Sequence, residues 1–303
     1  MDLLVIGAFG AFVIAVGCAY DARWQLSCSK LGVFDYTDVA TLAIVVMVYP
    51  LLAVVEPPWL AAVIAGAVIV SSVADLAAPV LKIRAPQAIP LLLSGTAVVL
   101  VVTSHTGPIP GWALTDLLLV AVVVNVAVAW AQLGATPTHL AVLATFLTIY
   151  DVTATTLTGF MDELLGALGR QPISFMFTIP TAGGMACLGV GDVLILTLVP
   201  LTVGRRLGRH AALGAALVMY GAYLAGLAIS ATHPANTFPL MITLGPATLA
   251  IYGYTAVQRM APAEAVGVTQ RQVVESPSVG VAGLPAPVAR TPPPHSATSD
   301  QRM

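Results

Sequence analysis

Apolar residues run in blocks of roughly twenty along most of this chain, the length a bilayer asks of a helix, and short polar or proline-bearing stretches separate them. The pattern predicts nine membrane-spanning helices, over 3–20, 39–55, 59–78, 89–103, 115–133, 138–158, 185–203, 211–231 and 238–257. Glu56-Pro57-Pro58, Gly107-Pro108-Ile109-Pro110 and the stretch from Gly134 to Pro137 punctuate them, because proline cannot continue a helix. Thr115-Asp116 reads as a cap before the fifth span. Residues 159–186 break the rhythm. Gly159 to Leu165 has the pattern of a short amphipathic helix at the membrane surface, and Ile173 to Ile179 is rich in strand-forming types. From 258 onward Pro, Ser, Thr and Gly dominate, so 258–303 is expected to be a disordered tail. The expected fold is an all-α polytopic membrane protein.

Composition sharpens this. Of 303 residues 58% are hydrophobic and 9% charged, against about 25% charged in a soluble domain. Lipid must therefore be the solvent for most of the surface, which makes the chain an integral, multi-pass membrane protein. A net charge of −2 without a basic stripe excludes nucleic acid as a partner. Three scattered cysteines offer no disulfide framework, and no histidine stands at metal-ligand spacing, so neither metal nor cofactor is expected. The first apolar block lacks a basic start and reads as a retained span. On the nine-span plan Arg23, Lys30, Lys82, Arg84, Arg205, Arg206, Arg209 and Arg259 share one side and Arg170 lies on the other. This bias puts the N-terminus outside and the C-terminus in the cytoplasm.

Two aspartates carry the chemistry. Asp151 ends the run Phe146-Leu147-Thr148-Ile149-Tyr150-Asp151, and Asp192 follows Leu188-Gly189-Val190-Gly191. A carboxylate at membrane depth is costly unless paired, neutralised or hydrated, and is therefore a functional candidate. Each lies seven residues inside the loop-facing end of its predicted span, about 10 Å deep at 1.5 Å per residue. Two facing carboxyls that share one proton can activate water and polarise a peptide carbonyl. The bland alternative is a structural polar pair in a helix bundle. Asp75 is assigned to snorkelling or to pairing with Lys82 or Arg84, and Asn125 to a hydrogen bond between helices.

Tyr150-Asp151 late in one span and Leu188-Gly189-Val190-Gly191-Asp192 early in the next resemble the paired motifs of the GxGD intramembrane aspartyl proteases, the presenilin and signal peptide peptidase family. The resemblance covers the nine-span plan and, in motifs, residues 138–257. It implies a presenilin-like fold, catalytic Asp151 and Asp192, and a prokaryotic cell-membrane location. It also implies substrate contact by Tyr150, Gly189 and Gly191. The family's Pro-Ala-Leu motif is not intact here; Phe238-Pro239-Leu240 stands in its place and is matched to substrate binding by position. The substrates implied are transmembrane helices or signal peptides within the lipid bilayer. A homo-oligomer is compatible with the sequence. Ile173 to Ile179 could pair with an unwound substrate as an added strand. Two other readings compete. A type IV prepilin or preflagellin peptidase would use Asp21 with Asp192. A secondary transporter would use the carboxylates as proton relays, although no inverted repeat is visible.

Overall fold

The structure, a computed structural model, describes residues 2–26, 34–55, 58–82, 111–168, 176–181, 184–232 and 239–260. Helices dominate the described residues: α1 (Asp2–Asp21), α2 (Tyr36–Val55), α3 (Pro58–Leu81), α4 (Gly111–Gln132), α5 (Pro137–Val152), α6 (Phe160–Leu168), α7 (Val190–Leu207), α8 (Arg209–Thr232) and α9 (Met241–Met260). A π-helical turn, Thr153–Leu157, continues α5. Two strands, β1 (Met176–Thr181) and β2 (Gly184–Gly189), form an antiparallel pair between α6 and α7. The described residues are thus mostly helical with one antiparallel strand pair, where an all-α chain was expected.

Five stretches among the described residues are long and apolar enough to cross a membrane: Leu3–Asp21, Val63–Leu81, Ala113–Gln132, Pro137–Leu157 and Arg209–Thr232. Their outer faces carry large apolar side chains in the open, such as Leu4, Ile149 and Leu217, at 77%, 63% and 63% exposure. Such faces suit lipid and not water. The fourth predicted span, 89–103, lies outside the described residues, as does the tail beyond Met260.

Capping explains several boundaries that the apolar pattern blurred. α2 begins at Tyr36, three residues before the predicted span, because Asp35 Oδ1 accepts from Thr37 N and Asp38 N while Asp38 Oδ2 accepts from Asp35 N. This is the reciprocal arrangement of a capping box. α5 begins at Pro137, not Thr138; Thr136 Oγ1 accepts from His139 N, His139 Nδ1 accepts from Thr136 N, and proline takes the first helical position. α4 begins at Gly111, so Asp116 lies inside the helix and does not cap it. The predicted seventh span starts too early: residues 184–189 are strand, and the helix begins at Val190. The predicted tail starts too early as well, since Gln258, Arg259 and Met260 belong to α9.

α7 is the centre of the fold. Every residue from Val193 to Val203 is buried, and α1, α4, α5 and α8 pack around it. A helix apolar on all sides belongs in such a position. α1 approaches closely through glycines: a methyl on Gly17 would lie 2.7 Å from Thr197 Cγ2, and one on Gly10 would run into the Tyr223 ring. Small residues let helix backbones meet in this way. The Tyr223 hydroxyl, buried in this seam, donates to Ile6 O at 3.0 Å. Asn125 does not make the expected interhelical bond through its carbonyl; Oδ1 is buried without a partner among the described residues.

Candidate active site

The Gly-x-Gly-Asp sequence is the start of α7. Gly189 is the N-cap, with extended backbone at φ −67° and ψ 137°, and Asp192 is the third helical residue. That spacing lets the carboxylate reach back to the first unpaired amides of the helix. The carboxylate does turn back toward Gly189, where a methyl would lie 2.9 Å from Asp192 Oδ2. Glycine is needed here because a side chain would displace the carboxylate, not because of backbone strain. Gly191 has open space where a methyl would stand. Asp192 is the third residue of α7 and not seven residues into a helix, because strand β2 occupies 184–189.

Asp151 sits at a different helix start. It lies in the last turn of α5, and its Oδ2 accepts from the amide of Met241, the first residue of α9, at 3.1 Å. Its Oδ1 accepts from Thr155 Oγ1 in the π turn at 3.5 Å. Each aspartate thus occupies a helix N-terminus, where unpaired amides and the helix dipole favour negative charge. Asp192 stands in the first turn of its own helix, and Asp151 caps another.

The start of α9 is wedged in place. Thr148 Oγ1 bonds to Met241 O at 3.3 Å and contacts the bare face of Gly245. On the other side, a methyl on Gly226 of α8 would lie 2.6 Å from Thr243 Oγ1. Pro239 and Leu240, both buried, lead directly into Met241, whose amide bonds to Asp151. Phe238 lies outside the described residues.

Asp151 and Asp192 line one cavity of about 500 Å³, together with Tyr150, Gly189, Gly191 and Met241. The two carboxylates are close enough for the charge of one to act on the other. Apolar side chains from α2, α3 and α4, such as Val45, Val68 and Val122, form the remaining wall. Tyr150 also lines a second apolar cavity of about 350 Å³ against the π turn, and its hydroxyl is buried without a partner among the described residues.

Asp21 is placed elsewhere. Arg205 Nη2 meets its Oδ1 at 2.6 Å, Arg205 Nε lies 3.2 Å from both oxygens, and Gln132 Nε2 donates to Oδ1 at 3.1 Å. Arg205 is thirteen residues along α7 from Asp192, about 20 Å at 1.5 Å per residue. Asp75 is exposed on α3.

One residue with a part near the site escaped the sequence reading. Asp116 of α4 is 8% exposed and accepts the Thr178 amide of β1 with both oxygens, at 3.0 and 3.2 Å. Its signal was the same as that of Asp151, a carboxylate inside an apolar run, but its place near the start of that run disguised it as a cap. No family model matches the chain, and no curated protein matches it.

Proposed function

We propose that this protein is an aspartic endopeptidase that cleaves peptide bonds within or near membrane-spanning helices or signal peptides. The observation that carries the reading is the pair Asp151 and Asp192, set at two helix N-termini in one apolar cavity. Two coupled carboxyls titrate as a unit and hold one proton between them over a range of pH. With one proton on the pair, the ionised carboxyl takes a proton from water as its oxygen attacks the scissile carbonyl. The protonated carboxyl gives its proton to the carbonyl oxygen. As the hydrated intermediate collapses, the first carboxyl gives its proton to the leaving amine and the second takes a hydroxyl proton from the diol, so the dyad regains its starting state. No group outside the chain is required. The nine-span, presenilin-like plan with an outward N-terminus fits this role.

A helical substrate must unwind before its carbonyl can be attacked. β1 is not free to receive it, because β2 pairs with one of its edges and Asp116 meets the other. The strand addition expected for residues 173–179 therefore passes to β2, whose outer edge leads into Gly189 and Asp192. The unpartnered Tyr150 hydroxyl, next to Asp151, is suited to donate to a substrate carbonyl. The prepilin-peptidase alternative would need Asp21 beside Asp192; it is held instead by Arg205 at the other end of α7.

The test uses purified protein in detergent with a single-span substrate. Asp151→Asn and Asp192→Asn should each abolish cleavage, with the double variant no worse than either, since members of one catalytic unit are non-additive. Asp21→Asn should still cleave. Normal turnover by either dyad variant would falsify the reading.

A further inference from the structure

The two-stranded sheet hangs from one carboxylate. Thr178 gives its amide to Asp116 and so points it away from β2. In an antiparallel pair, residues directly opposite each other turn their backbone groups either both inward or both outward. Thr178 stands opposite Cys187, so Cys187 turns its amide and carbonyl to the open edge of β2. Gly189, two residues on, turns the same way, and the Asp192 carboxylate lies against it. The bond at Asp116 thus selects which backbone groups of β2 face outward. A slip of one residue would reverse the set and carry the Gly189 amide away from Asp192. Phe177 supplies the second hold, fully buried at 5.0 Å from the Phe9 ring, but an apolar contact does not fix which amide points where.

Resting on the protease reading, we infer that Asp116 is a positioning residue for cleavage: it fixes the register of β1 and β2, and with it the substrate bond presented to Asp151 and Asp192. The ligand of Asp116 is the protein's own backbone, so an uncharged acceptor should serve as well as the carboxylate.

Asp116→Ala should raise KM and lower kcat/KM by about tenfold, the scale of a small misplacement of reacting groups. Mass spectrometry of the products should show cuts spread over neighbouring bonds. Asp116→Asn, which keeps an acceptor oxygen, should restore the single cut and most of the rate. Amide hydrogen exchange over 176–189 gives a readout free of catalysis, faster in the Ala variant and unchanged in the Asn variant. Wild-type cut sites and exchange in Asp116→Ala would overturn the assignment, as would an Asn variant as damaged as Ala. A wild-type protein that cleaves nothing would remove the protease reading and the positioning role with it. Exchange would still report whether Asp116 holds the sheet.

Discussion

At its Arg205 end α7 meets a carboxylate with a cation; at its Asp192 end two carboxylates share a cavity, with no cation in contact among the described residues. Asp21 is surrounded by donors whose charge and geometry leave it nothing further to do, and its oxygens are engaged by Arg205 and Gln132. Asp151 is held by a backbone amide and one hydroxyl, and Asp192 lies against Gly189. Amide donors position a carboxylate and favour its charge without locking it in that state, so the proton can come and go. Residue type is alike at the two ends; what separates the ion pair from the carboxylate pair proposed as a dyad is the kind of partner supplied.

The comparison breaks most sharply if a cation is brought to the dyad. Thr155→Lys places an ammonium where a hydroxyl now meets Asp151 Oδ1. It should cut kcat by about a hundredfold or more, since an ion-paired carboxylate is a poor base, while the protein remains folded by circular dichroism. Wild-type turnover in that variant would show that the partner's charge does not matter.

Gly189→Ala leaves every partner in place and moves only the carboxylate, because the added methyl meets Asp192 Oδ2. About a tenfold fall in kcat is expected, with KM little changed. Gly191→Ala, which meets nothing in the protein, should act on KM alone by narrowing the cavity. Equal kinetic effects of the two substitutions would contradict the separate roles given to these glycines.

At the opposite end, Asp21→Asn should spare kcat and lower stability by about 1 kcal/mol, the scale of a partly exposed pair, read as a fall in the unfolding midpoint in detergent. The smallest effect is expected from ending the chain at Met260: insertion and turnover should be unchanged, because the removed composition lacks the apolar content to pack. Lost activity at normal expression would give the tail a role.

Sequence patterning carried the helices well where apolar blocks were long, as in α1, α4 and α8. It failed at residues 185–189, where an apolar run serves equally as buried strand or helix start. Periodicity cannot separate those two; the pairing of β2 with β1 decides it. That Asp151 and Asp192 belong together was legible because an ionisable residue inside an apolar run is conspicuous; both line one cavity. Their partners were not, since the Met241 amide is a backbone group and carries no sequence signature. Asp116 was visible but misassigned, because a carboxylate near the end of an apolar run has a simpler use as a cap. The meaning of Asp21 depended wholly on Arg205, distant by 184 positions in the chain.

The burial of α7 on every side also bears on how the protein is made. On the nine-span plan, the helix with the most internal role carries Asp192, Arg205 and Arg206, and each charge resists entry into lipid by up to about 3 kcal/mol when placed centrally. Such a segment is a poor substrate for the insertion machinery when it emerges alone. By the time it leaves the ribosome, α1, α4 and α5 have already been synthesised, and these are helices that enclose it in the finished bundle. Its integration should therefore depend on what precedes it, a dependence that glycosylation mapping of α7 with and without those upstream helices would expose. The order of synthesis is in this sense part of the site: the chain builds the receptacle first and delivers Asp192 into it afterwards.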